Sequence, residues 1–250
     1  FDRCAGAYLG LAIGDALGAT VEFMTPGEIQ RTYGVHRDIV GGGWLKLPPG
    51  HVTDDTTMSL ALGDAILESR AQSRLFDADL FAQAFARWLR SRPVDCGNTC
   101  RRGIQRYLRD GSLQGPFNDG DAGNGALMRN LPVALATLGH PQLCKDVSLA
   151  QARITHQHPL SDKAVTGVAR ILQKLLTGES DVRGEMQDIV RDEPAFRFSP
   201  YPGRSSGYVV DTLQTVLHHF DAFDNFEEAL VATVNRGDDA DTTGALVGML

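Results

Sequence analysis

Apolar residues recur along this chain at spacings of three and four, the period of one helix face. Residues 56–68 carry Met58, Leu60, Leu62, Ala65, Ile66 and Leu67. Residues 77–90 run from Asp77, a favoured N-cap residue, through Leu80, Phe81, Ala84, Phe85, Trp88 and Leu89. Residues 161–176 place Ala164, Val165, Val168, Ala169, Leu172, Leu175 and Leu176 on one face, and Gly178 follows as a stop. Residues 207–219 and 226–235 read the same way. Residues 3–19 differ, because Gly6, Gly10, Gly14 and Gly18 stand four apart. On a helix they form a stripe without side chains, where a second backbone can approach closely. No run alternates apolar and polar positions as a strand would, and no repeat or linker interrupts the chain. The pattern predicts an all-α fold, one compact domain over residues 1–250.

Composition narrows the function classes. Hydrophobic residues make up 42% of the 250 positions, enough for a sizeable core. No apolar run reaches the roughly 20 residues that span a bilayer, so no transmembrane segment is expected. Phe1-Asp2-Arg3-Cys4 is not a charged-then-apolar secretion signal, and a cytoplasmic location is expected. The net charge is −7 and no basic stripe is present, which excludes nucleic acid as the expected partner. The cysteines are Cys4, Cys96, Cys100 and Cys144. Cys96 and Cys100 are spaced to share a helix face but lack the further thiols or imidazoles of a zinc site, so free thiols are expected.

Candidate chemistry lies in the irregular segments. Residues 34–57 contain Gly41-Gly42-Gly43-Trp44 and Pro48-Pro49-Gly50, then Thr53-Asp54-Asp55-Thr56. Residues 110–126 carry Gly111, Gly115, Pro116, Gly120, Gly123 and Gly125. Long irregular segments in a compact domain tend to carry function. A second acidic run is Asp238-Asp239-Ala240-Asp241-Thr242-Thr243. Helix capping explains one Asp in each run. It does not explain five acids in two short runs, because adjacent carboxylates repel unless a cation gathers them. Carboxylates with Thr hydroxyls suit a hard cation such as magnesium, calcium or manganese. Asp238 is expected to cap its helix while Asp239 and Asp241 ligate. Glu22 follows the glycine stripe where the first helix should end. Asp15, among small residues on that helix, reads as a buried hydrogen-bonding group.

Gly14-Asp15-Ala16-Leu17-Gly18 with Glu22, Thr53-Asp54-Asp55-Thr56, Gly123-Asn124-Gly125-Ala126, Thr155-His156 and Gly237-Asp238-Asp239-Ala240-Asp241-Thr242 resemble the ADP-ribosylglycohydrolase family in sequence and order. The resemblance spans almost the whole chain. Family members continue beyond the second acidic run, so an end at Leu250 is early. The resemblance implies an all-helical fold and two divalent ions, Mn2+ or Mg2+. Carried over by position, the metal ligands are Thr53, Asp54, Asp55, Asp239, Asp241 and Thr242, with Glu22 beside the ions. The alternation Asp239-x-Asp241 at a helix start lets two carboxylates converge. Asp95, Glu22 and Asp55 are the implied catalytic carboxylates. Asp95 also reads as a cap for a helix from Asn98. Asn98, Gly123, Asn124, Gly125, His156 and Tyr208 are the implied substrate contacts. A Gly-rich turn brings backbone N–H groups close to a phosphate, and Tyr208 either stacks on the nucleotide or serves the core. His158 has no assigned role.

The implied reaction is hydrolysis of the N-glycosidic bond between ADP-ribose and an arginine side chain, through an oxocarbenium-like transition state. Gly41-Gly42-Gly43-Trp44-Leu45-Lys46-Leu47-Pro48, Arg101-Arg102-Gly103-Ile104 and Met128-Arg129-Asn130-Leu131-Pro132 resemble the branch of the family that acts on the iron protein of nitrogenase. That ADP-ribosylated protein is the implied partner, with room for a regulatory protein partner. Two alternatives stand beside it. One is the same chemistry on another linkage, ADP-ribosyl-serine or O-acetyl-ADP-ribose. The other is a catalytically silent binding or structural member, against which the intact acidic runs argue.

Overall fold

A computed structural model describes all residues from Phe1 to Leu250. In chain order its helices are α1 (Asp2–Gly18), α2 (Pro26–Tyr33), α3 (Asp54–Ala71), α4 (Ala78–Arg90), α5 (Asn98–Asp110), α6 (Leu131–Ala136), α7 (Pro141–Ala152), α8 (Pro159–Thr177), α9 (Arg183–Asp192), α10 (Val209–Ala222), α11 (Phe226–Val234) and α12 (Ala240–Met249). There is no sheet; the β-type pairings are isolated bridges, Gly42 with Leu47 and Gly123 with Tyr208. The expected all-α architecture is what forms.

The glycine stripe of α1 packs against α12, the most extensive helix pair in the fold. A Cβ on Gly10 would overlap the Gly248 carbonyl, one on Gly14 the Gly244 carbonyl, and one on Gly18 the Ala240 carbonyl. The reciprocal overlaps hold for Gly244 and Gly248 against the carbonyls of Gly14 and Gly10. Positions rise along α1 as they fall along α12, so the helices run antiparallel with backbones in direct contact. Gly6 is outside this contact, and a Cβ there would meet nothing within 4 Å. The stripe therefore ends one step earlier than the spacing predicts. The register carries the C-terminal end of α1 to the N-terminal end of α12. There the chains lock: Phe23 N–H donates to Asp238 O at 2.6 Å and Asp238 N–H to Met24 O at 2.8 Å.

Asp15 fixes the third element of the site. It is fully buried on α1 and accepts from Thr53 N–H at 2.8 Å, Thr56 N–H at 3.1 Å and the Thr56 hydroxyl at 2.6 Å. The N-terminus of α3 is thus capped from another helix, and the Thr53 side chain makes no capping bond of its own. Other caps follow local rules. Asp77 accepts from Asp79 N–H, Asn225 from Glu228 N–H, and Gly178 ends α8 in the left-handed region at φ 100°. His158 is the N-cap of α8, its Nδ1 accepting from Leu160 N–H at 3.1 Å. Apolar faces of α6, α8, α10 and α12 meet in the largest core cluster, and those of α3, α4 and α5 form a second.

The backbone contact sets a testable contrast. Gly14→Ala should destabilise the protein by about 3 kcal/mol or more, because the methyl has only backbone to displace. Gly6→Ala should be neutral or stabilising by up to about 1 kcal/mol, since alanine is the better helix former. Urea denaturation of both variants measures the difference; equal stabilities would contradict the contact.

Candidate active site

Three chain segments bring their acids to one place. Glu22 comes from the turn after α1, Asp54 and Asp55 from the first turn of α3, and Asp239 and Asp241 from the start of α12. All five are buried, as is Asp15 beneath them. None of the six takes part in an ion pair; the salt bridges of the protein lie elsewhere. Burial, followed by the charges of Asp239, Asp95 and Asp54, pushes the Glu22 carboxyl up to about 8. Burial and Asp95 push Asp54 up to about 7. Asp55 and Asp241 are held well above the ordinary carboxylate range, by burial first and neighbouring acids second. Such a set resists ionising together unless positive charge is supplied.

The donor set fits a hard cation. One carboxylate oxygen from each of Glu22, Asp95 and Asp241 lies within 4.8 Å of the others. Asp55 Oδ2 accepts from Thr53 Oγ1 at 3.2 Å and Thr242 Oγ1 at 3.3 Å, while its buried Oδ1 has no hydrogen-bond partner. An orphaned buried carboxylate oxygen is costly, and a cation would supply the partner it lacks. Thr53 and Asp55 sit behind the other acids, away from the cavity lining.

Above the acids opens a cavity of about 470 Å3. Glu22, Asp54, Asp95, Asn98, Gly123, Asn124, Gly125, His156, Asp239, Asp241 and Thr242, all expected from the sequence, line it together. A larger hollow, about 560 Å3 beside Phe226 and Leu250, gathers no comparable acid group. Asn124 has a structural task in the site, its amide donating to Thr212 Oγ1 at 3.0 Å and to Asp239. A side chain at Gly125 would crowd the Cys100 sulfur, and one at Gly123 would approach His156 Nε2. His156 is fully enclosed; burial, then the charges of Arg129 and Arg102, drive its pKa well below the ordinary value. Thr155 Oγ1 accepts from Arg129 Nη2 at 2.9 Å and stands 2.7 Å from His156 Nδ1. That contact holds the ring with Nε2 facing the Gly123–Gly125 turn.

Several expectations need correction. Asp238 does not cap α12: it is exposed at φ 55°, and the N-cap position is Asp239. Asp95 does not cap α5, which starts from Gly97; it stands among the acids instead. Cys96 precedes α5, so it shares no helix face with Cys100, although both are free and buried. Tyr208 is 44% exposed, so it does not serve the core; its neighbour Gly207 lines the cavity.

Other residues gain a role only from the structure. Arg129 is wholly buried, held by Gln151 and Thr155 with its guanidinium 4.3 Å from the Phe85 ring centre. Arg102 pairs with buried Asp121, which also accepts from Gln157 N–H at 3.2 Å and so ties the glycine-rich segment to His156. Phe23 and Trp44 line the cavity as well. A cluster of acids announces itself in sequence; a single buried arginine or a rim aromatic gives no comparable signal.

The sequence profile of the ADP-ribosylglycohydrolase family matches residues 1–250. The chain is 57% identical to the ADP-ribosyl-[dinitrogen reductase] glycohydrolase of Rhodospirillum rubrum, covering 100% of this chain and 84% of that protein. It is 34% identical to an ADP-ribosylarginine hydrolase of Serratia proteamaculans, covering 100% and 70%. A solved structure of an ADP-ribosylglycohydrolase-related protein complex superposes with a TM-score of 0.86 at 36% identity, covering 100% of this chain and 86% of that one. A family match over every residue, with acids from four segments lining one cavity, makes this chain a member of the ADP-ribosylglycohydrolase family.

Proposed function

We propose that this protein is a metal-dependent hydrolase that releases ADP-ribose from an arginine side chain, with the nitrogenase iron protein as its target. The convergence of Glu22, Asp95 and Asp241 at the floor of the cavity carries this reading. Identity of 57% over the whole chain to an enzyme named for ADP-ribosyl-[dinitrogen reductase] supports the target. Residues 1–250 act as one catalytic domain in the cytoplasm. Thr53, Asp54, Asp55, Asp239, Asp241 and Thr242 would hold two divalent ions, Mn2+ or Mg2+, and Glu22 and Asp95 are within reach. When bound, the ions supply Lewis acidity toward the ribose diol and the attacking water.

The rest of the chemistry belongs to side chains. Water adds its oxygen to C1″ as the C1″–N bond breaks, and the arginine nitrogen leaves with the proton that water gives up. A carboxyl beside that nitrogen, Asp95 or Glu22, carries the proton across. Asp95 can also pair with a guanidinium through two hydrogen bonds, which a serine oxygen does not permit. Neutral His156 presents Nε2 toward the Gly123–Gly125 turn, where an ADP-ribose hydroxyl, able to donate or accept, would hydrogen-bond it.

Two outcomes test this. Mass measurement of modified proteins should show release of ADP-ribose from arginine adducts at least about tenfold faster than from serine adducts, a preference of about 1.4 kcal/mol. Asp55→Ala and Asp241→Ala should abolish turnover, while Asp95→Asn should lower kcat about 100-fold with KM nearly unchanged. Equal rates on both linkages, or wild-type turnover in Asp95→Asn, would contradict the assignment.

Protonation gives a further test. The folded-state values of Glu22, about 8, and Asp54, about 7, lie above their ordinary 4.5 and 3.8. A raised carboxyl value means stability that is fully present below the ordinary value and lost as pH rises through the folded value. Metal-free protein should therefore lose stability from about pH 4 to pH 8, and cations, which compete with those protons, should restore more of it at the higher pH. Melting curves at pH 5 and pH 8, with chelator and with Mn2+, measure this; an equal Mn2+ effect at both would contradict it.

A further inference from the structure

Two aromatic side chains stand at the surface where the acidic cavity opens. Trp44 is 50% exposed and Phe23 62% exposed, yet both line the cavity. Its other apolar lining residues, Cys96, Cys100 and Met128, are buried, so the two rings form the mouth. Their centroids are 5.3 Å apart and their planes inclined at 48°. Both are held there by unusual backbone. Phe23 sits at φ 63°, a strained conformation for an aromatic residue. Trp44 follows three glycines, Gly41, Gly42 and Gly43, all at positive φ, and a side chain on Gly43 would overlap the Ala19 carbonyl. Strained backbone that keeps apolar surface in water serves a binding site, since packing gains nothing from it. The Trp44 indole Nε1–H also donates to Glu22 Oε2 at 2.6 Å.

We propose that Trp44 and Phe23 form the wall that receives the arginine guanidinium, and that Trp44 is in addition the positioning residue for Glu22. This rests on the arginine reading above. The protein that bears the modified residue stays outside a cavity of about 470 Å3, so its side chain has to cross the mouth. A guanidinium is planar and cationic. It stacks on aromatic faces, whose π-clouds are negative, and the carboxylates of Glu22 and Asp95 behind them complete the match. A serine adduct offers neither plane nor charge. The diphosphate of ADP-ribose is anionic and finds no favourable partner in this acid-backed aromatic rim.

Trp44→Phe keeps a ring and removes the bond to Glu22. Trp44→Leu removes both, and Phe23→Leu removes the second ring. Kinetics on ADP-ribosyl-arginine should show kcat about tenfold lower in Trp44→Phe with KM within about twofold. KM should rise about fivefold in Trp44→Leu and about threefold in Phe23→Leu. Affinity for ADP-ribose, measured by calorimetry on the same variants, should stay within about twofold of wild type. Unchanged kinetics in Trp44→Leu, or a loss of ADP-ribose affinity parallel to the rise in KM, would overturn the proposal, the latter giving the wall to the nucleotide. A second measurement needs no variant. Trp88 is enclosed, with its indole bonded to Thr57, so the exposed indole is Trp44. Agmatine added to the ADP-ribose-loaded wild type should quench its fluorescence; quenching complete with ADP-ribose alone would overturn the proposal. Wild-type protein that binds ADP-ribose but leaves arginine adducts intact would overturn the arginine reading itself, a result distinct from any variant's behaviour.

Discussion

Direct backbone contact between α1 and α12 is what the acidic site is built on. Residues without side chains at Gly10, Gly14, Gly18, Gly244 and Gly248 let the two helices approach until carbonyls fill the space of the missing Cβ atoms. The antiparallel register then has only one consequence at the far end: the turn holding Glu22 meets the turn holding Asp239 and Asp241. The hydrogen bonds among Phe23, Met24 and Asp238 seal that junction. Wider helices would separate the acids by the thickness of a side-chain layer and leave no shared cavity.

A fold that buries six carboxylates near one another works against its own electrostatics. The structure offsets part of the cost internally. Asp15 is answered by the N-terminus of α3 and the Thr56 hydroxyl, Asp239 by Asn124, and Glu22 by the Trp44 indole. Asp55 Oδ1 and the raised proton affinities of Glu22 and Asp54 are what remains unanswered. The remainder is located where the proposed cation-assisted hydrolysis needs it. Stability is set aside at the place where a bound cation would restore it, a common arrangement of functional sites.

The sequence was most informative where a pattern had one physical explanation. The helices with clear caps and period, such as α4 from Asp77 and α8 to Gly178, formed within a few residues of the expected limits. The four-residue glycine spacing foretold a close helix contact, though not its partner α12, because a stripe of glycines carries no address. The two acidic runs indicated a cation because like charges in sequence demand a common counter-charge in space. Asp238 failed as a cap since the cap depends on backbone angles: at φ 55° it turns outward, and Asp239 takes the N-cap position. Arg129 stood in a recognised run but without a role. Its role arises from Phe85 in α4 and from Gln151 and Thr155 at the end of α7 and in the turn after it, which only tertiary packing brings together.

Diffraction from manganese-loaded crystals, recorded at the manganese absorption edge, tests most directly whether these acids are gathered for cations. Anomalous peaks should lie among Glu22, Asp95 and Asp241 and against the free Oδ1 of Asp55. Peaks confined to surface acids, with the cavity floor empty under saturating manganese, would contradict the metal site and leave the buried carboxylates to be explained by protonation alone.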